Sequence, residues 1–171
     1  SGLANNTTGA NNTAVGHGAM FDNTTGGNNT ALGYLALGDN TTASENTAIG
    51  IEALRKNTTG GGNTAVGRVA LTANTTATNN TAVGTVSLYS NTTGTSNAAL
   101  GAYALQSNTT GSECTTVGYG AGIANTTASQ STFIGKNAGV AVTTGNQNTF
   151  LGQNSGYNLV SGFANTVVGS H

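Results

Sequence analysis

Chemistry needs nucleophiles, acid–base groups or metal ligands held close together, and this chain offers few of them. The two histidines, His17 and His171, stand at opposite ends. Cys114 is the single cysteine, so no internal disulfide forms, and its isolation reads as a tolerated substitution rather than a nucleophile. Arg55, Lys56, Arg68, Lys136, Asp22, Asp39, Glu45, Glu52 and Glu113 are the nine charged residues, and the formal net charge is −1. No Cys/His cluster has the spacing of a metal site, and no lysine follows the glycines as in a phosphate-binding loop. The expectation is a chain that is not an enzyme and uses no cofactor. With so little charge it exerts no long-range attraction on nucleic acid or an anionic membrane. No apolar run reaches the ~18–20 residues that span a bilayer, so membrane insertion is not expected either.

What the chain has in abundance is a short phrase. NNTAVG at 11–16 returns as NNTALG at 28–33, and cutting every seventeenth residue gives ten units with no insertion or deletion, starting at Ser1, Gly18, Leu35, Glu52, Val69, Val86, Tyr103, Gly120, Asn137 and Asn154. The consensus is x-A-L-x-x-N-T-T-(G/A)-x-x-N-T-A-(V/L/I)-G-x, and each position of the unit is called a column below. Column 15 is Val15, Leu32, Ile49, Val66 and so on to Val168, aliphatic in all ten units, and column 16 is always glycine. Disorder has no reason to keep such register, so every unit must occupy the same structural slot.

Helical-hairpin repeats and propeller blades need longer units than seventeen residues, and the Asn-Thr-Thr-Gly punctuation breaks helices. A parallel β-solenoid with one coil per unit remains: an all-β fold of ten coils, with TAVG and AL as short strands and glycines at the corners. Coils ~4.7–4.9 Å apart would make a rod on the order of 50 Å.

Stacking gives the asparagines a role. Asn6, Asn23, Asn40 and Asn57 open one column, and Asn12, Asn29, Asn46 and Asn63 open another, so amides can bond from coil to coil. The Asn-Thr-Thr triplet, present eight times, is also formally an acceptor for N-linked glycan. Along a strand, column 13 and column 15 share one face and column 14 takes the other. Pointing Val15, Leu32, Ile49 and Val66 into the coil leaves the alanines of column 14 as a smooth outer strip. Because so thin a coil buries few large side chains for seventeen ordered residues, association of identical chains is expected, three in parallel.

Residues 1–119 form the regular coils and 120–171 a variant set. In the variant set column 3 changes from Leu to Gly122, Gly139 and Gly156, column 14 from Ala to Phe133, Phe150 and Val167, and column 6 from Asn to Val142 and Leu159 in the last two coils. Volume leaves one place and returns at another. That suits an altered cross-section, or a binding surface of exposed phenylalanines, and no charged cap closes the final VVGSH, so further chain is expected.

These units resemble the shaft repeats of phage tail-fibre-like and bacterial surface-fibre proteins, many of which carry a self-cleaving chaperone domain. NTFLGQNSG at 148–156 resembles a second repeat type of the same proteins. A looser similarity is to the heads of trimeric autotransporter adhesins, β-rolls packed in threes. The resemblance implies a homotrimeric fibre, extracellular or on a virion or bacterial surface, that holds or forms an adhesive tip. Two other functions stay open, an ice-binding solenoid or a carbohydrate-binding one. For a surface glycan, column 17 is the candidate, with His17, Tyr34, Arg68, Tyr119 and Lys136 in one ladder.

Overall fold

The computed structural model describes residues 2–170; His171 lies outside the described residues. Ten three-residue strands recur at the same point of every unit: β1 (Thr13–Val15), β2 (Thr30–Leu32), β3 (Thr47–Ile49), β4 (Thr64–Val66), β5 (Thr81–Val83), β6 (Ala98–Leu100), β7 (Thr115–Val117), β8 (Thr132–Ile134), β9 (Thr149–Leu151) and β10 (Thr166–Val168). They pair in chain order into a single parallel sheet. Each column meets itself: Thr13 lies opposite Thr30, Ala14 opposite Ala31 and Val15 opposite Leu32. Bonds between coils continue beyond the strands, from Leu37 N–H to Ala53 C=O (2.9 Å) and from Thr24 N–H to Thr41 C=O (2.9 Å). The chain is a β-solenoid with seventeen residues per coil, as the period predicts.

The side on which the aliphatic column lies is the reverse of the expectation. Ala31, Ala48, Ala65, Ala82 and Ala99 are fully buried. Val15 and Leu32 are exposed, at 54% and 46%, and Ile49 and Val66 are half-buried on the same outer face. Alternation places columns 13 and 15 together, as predicted, but leaves open which side is inner. The interior decides. It already holds the column 3 leucines, with Leu37, Leu54 and Leu71 at 0% exposure, so a methyl is the size of group that fits opposite them.

Columns 2 and 3, the AL of the consensus, form turns and not strands. Leu37, Leu54 and Leu71 have φ of 52°, 52° and 53°, a left-handed conformation that costs an L-residue roughly 1–2 kcal/mol. Backbone bonds on both sides hold it: Leu37 N–H donates to Ala53 C=O (2.9 Å), while Leu37 C=O accepts from Asn40 N–H (3.3 Å). Column 16 is glycine for a harder reason. Gly67 has φ +137°, and a Cβ there would stand 2.5 Å from the carbonyl oxygen of Gly84.

The variant coils carry out the volume exchange inside the rod. Phe133 and Phe150 are fully buried and stack with ring centroids 5.2 Å apart and planes 17° from parallel, so they form no exposed binding surface. They fill the room left by leucine: a Cβ on Gly122 or Gly139 would lie 2.9 Å from the Phe133 ring, and one on Gly156 2.5 Å from Phe150. The buried apolar residues form two clusters, one from Ala19 to Cys114 and one around Phe133 and Phe150.

Candidate functional site

Inside the rod, the polar groups are spent on its own construction. From Asn23 to Asn108 in column 6, each amide donates to the asparagine one coil earlier and to a column 9 carbonyl of its own coil: Asn57 Nδ2 reaches Asn40 Oδ1 at 3.2 Å and Gly60 C=O at 2.8 Å. Asn23 and Asn40 repeat the pattern, the series starting at Asn6. In column 12 the backbone N–H donates to the preceding side chain, as Asn63 does to Asn46 Oδ1 (2.9 Å), while Nδ2 crosses to the next coil, as Asn46 does to Gly60 C=O (3.0 Å). Asn12 and Asn29 bond in the same way. The two ladders therefore converge on one row of carbonyls. Asn23, Asn40 and Asn57 are 0% exposed, which closes these Asn-Thr-Thr amides to a glycosyl transferase once the chain is folded.

Cys114 stands in column 12, and its thiol imitates the amide it replaces. Its N–H donates to Asn97 Oδ1 (3.0 Å) and its Sγ contacts Ala128 C=O at 3.3 Å, the place that Nδ2 takes in other coils. Burial pushes the Cys114 thiol pKa up, the opposite of what activates a nucleophile. The column 6 ladder ends nearby. Asn125 turns to its own coil, accepting from Ala128 N–H (2.8 Å) and donating to Ala128 C=O (3.1 Å), and Asn108 Oδ1 is left buried without a partner.

Outside the rod, column 17 behaves as a surface ladder only in part. His17 and Tyr34 stack, with centroids 5.7 Å apart and planes at 15°. Tyr119 meets Tyr103 of its own coil edge to face at 5.5 Å. Arg68 and Lys136 stand on separate coils, and the exposed Ile51 separates Tyr34 from Arg68. All five predicted residues are exposed. An open notch does occur beside the tenth coil, lined by Asn154, Tyr157, Leu159, Val167 and Val168 among others, and it includes none of the five predicted residues.

Among the described residues no group of three or more His, Cys, Asp or Glu is placed to hold a metal ion, and no helix is long and apolar enough to cross a membrane. The ion pair of Glu52 with Arg55 (3.5 Å) is partly solvated and joins neighbouring positions of one coil. The surface feature that sequence reasoning missed is the outer face of the sheet itself. It carries column 15, aliphatic in every coil, beside column 13, threonine in nine coils and Ala98 in the other. The signal was present: Leu gives way to Gly in column 3 where Ala gives way to Phe in column 14, and columns that exchange volume must touch inside. Fold and surface together define the class of protein, a parallel β-solenoid repeat protein. No protein-family model, no curated protein and no solved structure shows a significant match to the chain.

Proposed function

We propose that this chain is a rigid shaft segment of a homotrimeric fibre, outside a cell or on a virion, that holds an adhesive tip away from the particle or cell. The observation that carries this reading is the continuous sheet: ten strands at a seventeen-residue period, each strand column paired with itself, and among the described residues no coil set apart by a cluster of His, Cys, Asp or Glu. Such a structure supplies length and stiffness. The resemblance of the NTAVG units to fibre shafts supports the same reading.

A spacer is tolerant in length if whole coils are removed. Excising Glu52–Arg68, one complete coil, is expected to leave a folded protein, shorter by about 4.7–4.9 Å, whose melting temperature falls by only a few degrees, because solenoid stability sums over neighbouring repeats. Excising 53–68, one residue fewer, shifts every later column and is expected to abolish cooperative melting. Equal damage from the two deletions would overturn the shaft reading.

Ice binding is a second reading, favoured by one observation. Among the described residues the column 13 hydroxyls of the outer face have no protein partner, whereas column 7 hydroxyls bond to backbone carbonyls, as Thr24 does to Thr41 C=O at 2.9 Å. Against it, column 15 mixes Val, Leu and Ile, so the face is uneven in height from coil to coil. Thermal hysteresis of the purified chain distinguishes the two.

A further inference from the structure

We infer that the outer face of the sheet, columns 13 and 15, is the surface on which identical copies of this chain pack, side by side, parallel and in register. The inference rests on the fibre reading and supplies what that reading lacks, the surface and the mode of contact.

Ten repeats in one chain act as ten trials of each position. Columns open to water drift: column 17 runs through His17, Tyr34, Ile51, Arg68, Thr85 and Ala102, and column 11 through Asn, Glu, Gly, Ser, Gln and Ala. Column 8 is exposed and constant, but as threonine, with one serine, which water accepts. Column 15 is constant as an aliphatic residue in all ten coils, exposed in seven of them, with Leu100 at 41% and Val117 at 37%, and half-buried at Ile49, Val66 and Leu151. The interior changes from Leu88 and Ala99 in coil six, through Leu105 and Thr116 in coil seven, to Gly122 and Phe133 in coil eight, yet the outer residue stays aliphatic at Ile134, Leu151 and Val168. A constraint that survives a change of core comes from outside the coil.

The chemistry of the face identifies the occupant. No charged residue occurs in columns 12–16 of any coil, so a charged partner finds nothing to pair with. An unbroken apolar strip along the whole sheet exceeds the scattered apolar exposure of a soluble monomer. Columns 13 and 15 present twenty outward side chains over the ten coils, within the range of about 20–30 residues a side in a stable interface. The uneven height that disfavours a crystal lattice is no obstacle to copies in register. Each layer then contains the same residue from every copy, Leu32 with Leu32 and Val66 with Val66, so heights match layer by layer. A register shifted by one coil leaves only Val66 against Val83 matched and sets valine against leucine at layers such as Val15 with Leu32 and Val83 with Leu100.

The test is the solution mass of the whole chain and three variants, read by light scattering, with circular dichroism and melting to establish that each is folded. One chain is 16.7 kDa, and the wild type is expected at three times that, about 50 kDa. Leu100→Asp and Leu32→Lys, of opposite charge, are expected to remain folded and lose assembly. Thr93→Asp, in column 8 of the same coil as Leu100, is expected to keep it. A wild type at the mass of one chain, or assembly unaffected by both column 15 variants, would overturn the inference, and thermal hysteresis from that single chain would assign the face to ice. The two coil deletions report on the shaft reading separately, since they measure register and not contact between copies.

Discussion

Replacing Asn57 by alanine is expected to lower stability by about 2–6 kcal/mol, while Thr59→Ala in the same coil changes it by less than about 0.5 kcal/mol. Asn57 supplies the hydrogen-bond donor of Asn40 Oδ1 (3.2 Å) and accepts from Asn74 Nδ2 (2.8 Å). Its loss orphans an acceptor on one side and an N–H on the other, both buried, at about 1–3 kcal/mol each. Gly60 C=O is not orphaned, because Asn46 Nδ2 still reaches it at 3.0 Å. Leucine at 57 leaves the same two groups unmet. Val142 and Leu159 are accepted in that column because they follow one another at its end, where Asn125 already bonds to Ala128 of its own coil. Urea denaturation at one fixed chain concentration measures the difference. A loss from Asn57→Ala no larger than that from Thr59→Ala would show that the ladder does not hold the coils together.

Phe133→Ala is expected to cost about 3–5 kcal/mol, the range for removing a buried aromatic ring. The more informative experiment is its cycle with Gly122→Leu. Alone, Gly122→Leu is destabilising, since the new Cβ falls 2.9 Å from the Phe133 ring. Combined with Phe133→Ala it restores the Leu and Ala pairing of coils three to six, at a backbone angle of φ +60° close to the +50° of Leu105. The double variant is therefore expected to be more stable than the sum of the single changes by up to about 3 kcal/mol. Additivity would mean that columns 3 and 14 do not share one space, and the inside-out assignment of the coil would fail with it.

These two predictions also mark what could be read from the residues. Period, coil length and strand position follow from column identity, because a glycine at position sixteen of every unit and an aliphatic residue before it tolerate no slip. The amide ladders follow from stacking like on like. The inner side of the strand does not follow, since alternation relates Ala14 to Val15 but not either of them to the axis. The usual rule, larger apolar residues inside, misleads here because leucine from column 3 already fills the narrow interior. The left-handed turn at that leucine is equally hidden: leucine is seldom found there, and the trace it leaves is the change to Gly122, Gly139 and Gly156, each with φ near +60°. As for column 17, sequence places His17, Tyr34, Arg68, Tyr119 and Lys136 in one line, but a line of residues on a convex rod is no pocket. The structure stacks His17 on Tyr34 and sets Tyr119 one coil from Lys136, while Arg68 stands apart from both pairs.

A shaft must be one continuous stiff rod. Spin labels on cysteines at Thr8 and Thr144, in a chain whose Cys114 is serine and which is diluted with unlabelled copies, span eight coil steps on one exposed column. Dipolar spectroscopy is expected to show a single narrow distance near 38 Å, eight steps of about 4.8 Å. A broad distribution, or a narrow one at a much shorter distance, would contradict a rigid solenoid and the shaft built on it.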